Sequence, residues 1–204
     1  MRVNLDLEQK RKLDLYLELL LKWNQKVNLV GYKTKKDILT YLIQDSFYLF
    51  TFLKDKLVSD KEQVFLDLGS GAGLPGIPFR LIWDKGLYYL VEIRKKRISF
   101  LKNVVFQLKL NNTFVLDRPA ESLPLAYLSV DFIVTRAFKP YLEVLKIAFP
   151  LACPRTRLII LTNLSSPPTL PGEWKLEDVF AYTIGSKKRY FWSLVPVFLN
   201  SCPS

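Results

Sequence analysis

Val64-Phe65-Leu66-Asp67-Leu68-Gly69-Ser70-Gly71-Ala72-Gly73-Leu74-Pro75-Gly76-Ile77-Pro78 is the stretch on which the reading of this chain turns. A short apolar run, broken by one carboxylate, gives way to glycines at 69, 71, 73 and 76. The run reads as a buried strand. A glycine-rich turn after a strand lets backbone approach a ligand closely, at a helix N-terminus whose N–H groups lack partners. Pro75 and Pro78 suit the first turn of that helix, where a missing N–H costs little.

Working outward, Leu87–Val91, Thr113–Leu116, Asp131–Thr135 and Leu158–Leu161 are four more short apolar runs, with helix-like stretches at 76–84, 95–110 and 140–149 between them. Strands that alternate with helices indicate a parallel sheet covered on both faces. Residues 165–172 form a loop by composition, and 176–184 with 189–197 are expected to close the sheet as an antiparallel pair. Upstream of Asp60 the chain reads as helical. Leu13, Leu17, Leu20, Asn24 and Val27 recur at helical spacing, Asp6 and Gln9 form a capping-box pattern, and Gly31 is the expected stop. A second helix is expected from about Thr34, burying Leu39, Leu42, Ile43, Phe47, Phe50 and Leu53. The fold class is therefore α/β, a Rossmann-like, mostly parallel sheet with helices on both faces. A helical extension over 1–60 precedes a sheet-bearing domain over 61–204.

Composition narrows the chemistry. Half of the 204 residues are hydrophobic, enough for the core of one domain. Thirty Lys and Arg against nineteen Asp and Glu leave a net charge of +11, whose field attracts polyanions, nucleic acid first. The absence of histidine excludes a Ser-His-Asp or Cys-His pair and any His-bound metal. Two cysteines, Cys153 and Cys202, are too few for a zinc knuckle or a disulfide framework. The most apolar segments, 41–53 and 141–153, carry Asp45, Glu143 and Lys146, and neither has the roughly 18 uncharged apolar residues of a membrane span. These features lead to the expectation of a cytoplasmic protein, monomeric, with no membrane or metal partner.

Two cofactors fit the glycine loop. Gly71-Ala-Gly73-Leu-Pro-Gly76 matches the dinucleotide pattern, and Glu92 follows 23 residues after Gly69, at the end of the next strand, where a carboxylate accepts hydrogen bonds from a ribose. That is the case for NAD. Asp67 argues the other way: a carboxylate beside the loop repels a pyrophosphate but suits the ammonium and sulfonium of S-adenosylmethionine. The glycine pattern also begins earlier, as Asp-x-Gly-x-Gly-x-Gly, a form common in class I methyltransferases. A plain structural turn with Asp67 as a helix cap is the remaining reading of these residues.

Four stretches together resemble the RsmG (GidB) family of small-subunit ribosomal RNA guanine-N7 methyltransferases. They are Tyr16 to Asn24 with Asn28-Leu29, Asp67 to Pro78, Ala120-Glu121, and Val134-Thr-Arg136-Ala-Phe138. The Gly-Leu-Pro-Gly-Ile-Pro tail of the loop is more specific than the glycines alone. The resemblance implies a class I methyltransferase fold, S-adenosylmethionine as cofactor and 16S ribosomal RNA as partner. It implies that Gly69 and Leu74 line the cofactor, that Ala120 and Glu121 bracket its adenine, that Glu92 holds the ribose, and that Arg136 reaches the site from the fourth strand. Asp67 and Gly71 join the expected cofactor site from the reading of the loop itself. Leu42 departs from an expected histidine, Val30 from a common threonine, and Thr162-Asn163 from a Lys-Gly pair. Without the family, Arg136 also reads as the ion-pair partner of a sheet-end acid such as Asp131, and Asp45-Ser46 as a polar break in an apolar helix.

Guanine N7 carries an in-plane lone pair and no proton, so its methylation needs alignment and exclusion of water rather than a general base. A chain without histidine is compatible with that reaction, and no catalytic base is assigned. Thr135-Arg-Ala-Phe138 lacks the Asn/Asp-Pro-Pro-Tyr motif of exocyclic amine methylation, and Cys153-Pro154 precedes the fifth strand, away from a nucleophile's place. Basic residues cluster at 10–12 with Lys22, Lys26, Lys33, Lys35 and Lys36, at 94–97 with Lys102, and at 187–189. Each alone reads as a solvated face; together they favour contact with an RNA backbone. Because N7 faces the inaccessible deep groove of A-form RNA, a looped or unpaired guanine is the expected target. Tyr32, Phe138 and Trp192 are candidate stacking aromatics. An NAD-dependent oxidoreductase and a catalytically silent RNA-binding assembly factor are the competing functions.

Overall fold

The computed structural model describes residues 3–58, 62–123 and 129–198; Cys202 lies outside them. Helix α1 (Leu7–Val27) starts at the expected capping box: the Asp6 carboxylate accepts the Gln9 N–H at 2.8 Å, and the Gln9 side chain accepts the Asp6 N–H at 2.9 Å. It stops at Asn28 rather than at Gly31, with Asn28 in the left-handed region at φ 51°. Asparagine tolerates that conformation, and Asn24 then fixes the exit of the chain. Its side chain accepts the N–H groups of Leu29 and Val30 and donates to the carbonyls of Val30 and Tyr32.

The expected second helix is built in three pieces: α2 (Lys35–Ile38), capped by Thr34, a π turn (Leu39–Ile43), and α3 (Gln44–Leu53). Apolar periodicity spans all three, which is why the sequence shows one helix. The π turn carries an extra residue and so displaces the faces of α3 relative to α2.

Seven strands follow: β1 (Val64–Leu68), β2 (Leu87–Glu92), β3 (Thr113–Asp117), β4 (Phe132–Arg136), β5 (Arg157–Thr162), β6 (Trp174–Ile184) and β7 (Lys187–Pro196). The helices among them are α4 (Gly76–Ile82), α5 (Lys95–Gln107) and α6 (Tyr141–Ala148). The strand order is β3-β2-β1-β4-β5-β7-β6, with β1 to β5 parallel and β7 antiparallel between β5 and β6. The chain order reverses between β1 and β4, so the crevice at the strands' carboxyl ends lies there, the switch point at which open α/β sheets bind ligands.

Alternation along the strands sends side chains into two cores. Phe65, Tyr88 and Phe132 stack on one face, with ring centroids 5.5 Å (Phe65–Tyr88) and 4.9 Å (Phe65–Phe132) apart. Tyr16, Leu20, Ile43 and Leu49 of the N-terminal helices pack into that same core, with Phe79 of α4 and Leu101 of α5. Leu66, Leu68, Ile133 and Trp192 face the opposite way, against Val144 and Leu145 of α6. The N-terminal helices therefore share a core with the sheet. Among the described residues no helix is long and apolar enough to cross a membrane, and no group of three His, Cys, Asp or Glu stands ready for a metal ion.

Candidate active site

The cleft is assembled at the carboxyl ends of β1, β2 and β4, which the register brings level: Leu68 lies opposite Val91 on one side and Thr135 on the other. The backbone N–H groups of Gly69 and Ser70 both donate to the Val91 carbonyl at 3.0 Å, folding the loop over the end of β2. Gly69 sits at φ +71° with the Phe138 ring directly above it; a Cβ there would fall 2.3 Å from Phe138 Cδ2. Only glycine meets both demands.

Two hollows meet at this contact. The first, of about 460 Å³, is lined by Glu92, Ile93 and Arg94 after β2, by Ala120 and Glu121 after β3, and by Phe138 and Lys139 after β4. The second, of about 270 Å³, lies between the glycine loop (Ser70 to Leu74) and the Leu29–Tyr32 loop of the N-terminal helices, with Leu42 and Arg136 on its wall. Gly69, Arg97 and Ala137 line both. The first alone is in the size range of small-molecule sites, about 300–1,000 Å³.

Most of the residues singled out from sequence converge here. Gly69, Glu92, Ala120 and Glu121 line the first chamber; Gly69, Gly71, Leu74 and Arg136 line the second. Glu92 is buried and already oriented. Its Oε1 accepts the N–H groups of Ile93 and Arg94 at 2.9 Å each, its Oε2 accepts that of Gly71 at 3.1 Å, and Arg97 stands 3.8 Å from Oε2. A carboxylate has about four acceptor positions, so one remains for a ligand hydroxyl. Glu121 is exposed and reaches Lys139 at 3.1 Å across the mouth of the first chamber; its own backbone N–H and Lys139 hold its carboxyl below the usual range.

Asp67 is placed elsewhere. It lines neither chamber but lies under the loop, 1% exposed, hydrogen-bonded by the Gly76 backbone and 3.5 Å from the Tyr88 hydroxyl. A Cβ on Gly76 would fall 2.5 Å from its Oδ2. Burial is the dominant influence and pushes its carboxyl up to about 7, against the opposing pull of Tyr88, Gly76 and Arg136. The sequence cannot show this, because a strand-end acid points to cleft or helix according to the pleat.

Arg136 does not pair with Asp131. That acid holds the opposite end of the sheet, accepting from Arg155 Nε at 2.8 Å and from the Val64 N–H at 2.9 Å. Arg136 instead faces Asp45, 3.4 Å from its Oδ2. Asp45 is no passive break in a helix: buried at 1% exposure, it also receives the Tyr182 hydroxyl at 2.8 Å and Arg189 at 2.5 Å. Sequence reading missed the shared position of Arg97, noted only as one of a basic cluster. It also missed the Leu29–Tyr32 wall, which depends on how α1 docks. Of the three departures, Leu42 and Val30 fall on the second chamber, and Thr162-Asn163 does not line it. Cys153 is half-buried in the turn before β5, bonded within that turn to Thr156.

The family model described as rRNA small subunit methyltransferase G, GidB, matches residues 9–167, which include all but the first two residues of α1, the glycine loop and β1 to β5. The chain belongs to the GidB family. Curated relatives named ribosomal RNA small subunit methyltransferase G include one from Nitratidesulfovibrio vulgaris, 40% identical over 184 residues (90% of this chain, 84% of the relative). Another, from Lawsonia intracellularis, is 41% identical over 181 residues (88% and 83%). Among solved structures, a SAM-dependent methyltransferase from Aquifex aeolicus superposes with a TM-score of 0.57 at 18% identity, covering 78% of this chain and 93% of that one. An MtNAS variant in complex with S-adenosylmethionine gives 0.63 at 14% identity, covering 92% and 76%. These two likenesses show the fold, the class I methyltransferase arrangement expected for a GidB-family chain.

Proposed function

We propose that this chain transfers a methyl group from S-adenosylmethionine to N7 of a guanine in 16S ribosomal RNA. Family membership supports the reaction class. The observation that carries the site is the pair of chambers meeting at Gly69, one sized and lined for a nucleoside and the other opening toward the N-terminal loop. When bound, the cofactor supplies an electrophilic sulfonium methyl. Glu92 offers its remaining acceptor position to the ribose, Ala120 and Glu121 border the adenine, and the Gly69–Leu74 backbone supports the methionine end near Arg136. Gly69 and Asp67 act differently in this reading: Gly69 touches the ligand, whereas Asp67 shapes the loop from beneath.

The target guanine enters the second chamber beside Tyr32, Leu42 and Arg136. Its N7 lone pair forms a bond to the methyl carbon as the carbon–sulfur bond breaks; no proton is lost and the base ends cationic. The protein's task is alignment at near-attack distance and exclusion of water, worth roughly 7–11 kcal/mol of barrier in favourable cases. Arg94, Arg97 and Lys139 line the first chamber and suit the flanking phosphates.

Titration of the purified protein with S-adenosylmethionine and with NAD, for wild type and Gly69→Arg, tests the assignment. Binding of adenosylmethionine by wild type and its loss in the folded variant are expected. Tight NAD binding without adenosylmethionine binding would favour the oxidoreductase. Cofactor binding without methyl transfer to RNA would favour a silent assembly factor.

A further inference from the structure

Asp45 brings together three parts of the chain that the reaction does not otherwise link. It is the second residue of α3, which begins directly after the π turn, and lies three residues after Leu42 of the second chamber. Its Oδ1 accepts the Tyr182 hydroxyl of β6; its Oδ2 accepts Arg189 of β7 at 2.5 Å and faces Arg136 of β4 at 3.4 Å. The three charged side chains are at most one-fifth exposed: 2% for Asp45, 16% for Arg189 and 20% for Arg136. One carboxylate thus faces two guanidinium groups, leaving a buried excess of one positive charge.

That excess is not shared evenly. Arg189 holds the short, hydrogen-bonded contact, while Arg136 Nη1 is buried with no hydrogen-bond partner. A buried guanidinium nitrogen without a full hydrogen bond is costly, and a nearby carboxylate or a ligand oxygen lowers that cost. Arg136 is also the member of the cluster that lines the second chamber. Nη1 is the nitrogen turned to the carboxylate, 3.4 Å from Oδ2 and out of reach of solvent. The contact therefore aims the guanidinium, while the exposed fifth of the side chain is what meets a ligand in the chamber that Arg136 lines.

We infer that Asp45 is a positioning residue: anchored by Arg189 and Tyr182, it holds the Arg136 guanidinium at the wall of the second chamber, with donor capacity reserved for an anionic or carbonyl oxygen of the bound ligands. The inference rests on the reading of this cleft as the methyl-transfer site, and it makes the β6–β7 hairpin a structural support of that site. The π turn sets this geometry, because it changes the register that carries Leu42 to the chamber and Asp45 beneath it.

The test is a double-mutant cycle of Asp45→Asn and Arg136→Ala, read by adenosylmethionine affinity, by kcat and KM for methyl transfer to small-subunit RNA, and by melting temperature. Asp45→Asn is expected to lower kcat/KM or cofactor affinity about tenfold or more, and to add nothing in the Arg136→Ala background. The loss in melting temperature, which comes from Arg189 and Tyr182, should persist in both backgrounds. Should Asp45→Asn fail to fold, Asp45→Asn with Arg189→Gln removes one charge of each sign, and the same loss of transfer is expected of it. Wild-type transfer by either folded variant, or losses that multiply with Arg136→Ala, would overturn the inference. So would failure of both variants to fold, since Asp45 would then belong to the fold alone. Wild-type protein in the same assay separates the two claims: no transfer by wild type refutes the proposed function, whereas active wild type with unaffected variants refutes only the role of Asp45.

Discussion

Asp67 shows how one carboxylate serves the site without entering it. Its carboxyl, raised by burial to about 7, keeps in the folded protein a proton that the unfolded chain releases near the ordinary aspartate value. Between about pH 4 and pH 7 the native state therefore binds more protons, and stability falls as pH rises, levelling off above 7. The full difference is on the order of 4 kcal/mol. Asp67→Asn is expected to flatten this decline and to raise stability most at pH 8, measured by chemical denaturation at pH 5 and pH 8. Parallel curves for the two proteins would contradict the assignment. The same residue marks a limit of sequence reading: its spacing to the glycines is visible, but its orientation under Gly76 is a product of the pleat and the α4 contact. Glu92, by contrast, stands where its position at a strand end predicts.

At the scale of elements, the strand–glycine loop–helix unit and its four successors were legible because short apolar runs alternate with helical periodicity. What periodicity cannot show is a change of helix type: residues 35–53 read as one helix although a π turn divides them. The exit of α1 moved to Asn28 because Asn24 supplies four side-chain hydrogen bonds to the loop that follows. Arg80 of α4 lies buried, which nothing in its sequence context signals. It donates to the carbonyls of Trp83, Asp84, Lys85 and Asn111 and to the Thr113 hydroxyl, tying the end of α4 to the starts of β2 and β3. Arg80→Met leaves those carbonyls without their donor and is expected to cost about 3–5 kcal/mol, by analogy with breaking a buried charged contact, read as a lowered denaturant midpoint. A change within 0.5 kcal/mol, roughly the surface-substitution range, would show that water replaces the guanidinium freely.

Across the whole molecule, the charge of +11 and the cleft belong to one design. Arg94, Arg97 and Lys139 come from two separate parts of the sequence and meet on the lining of the first chamber. The sequence shows Arg94 and Arg97 in one local cluster and Lys139 outside any; their common rim exists only after folding. RNA affinity is expected to fall with salt, and Arg94→Gln or Lys139→Gln should each reduce the slope of log K against log salt by about 0.7–0.9. An unchanged slope in both would move the RNA path to another face. The N-terminal helices matter at this scale as well, because they share the sheet's core and supply the Leu29–Tyr32 wall.

The central claim is methyl transfer to guanine N7 in 16S ribosomal RNA. Its most direct measurement is nucleotide-resolved mass mapping of small-subunit RNA after incubation with this protein and isotopically labelled S-adenosylmethionine. A single labelled guanine, with the methyl on N7 and absent when Gly69→Arg replaces wild type, is the predicted result. A label on an exocyclic amine, a ribose or another base, or no label at all, would contradict it.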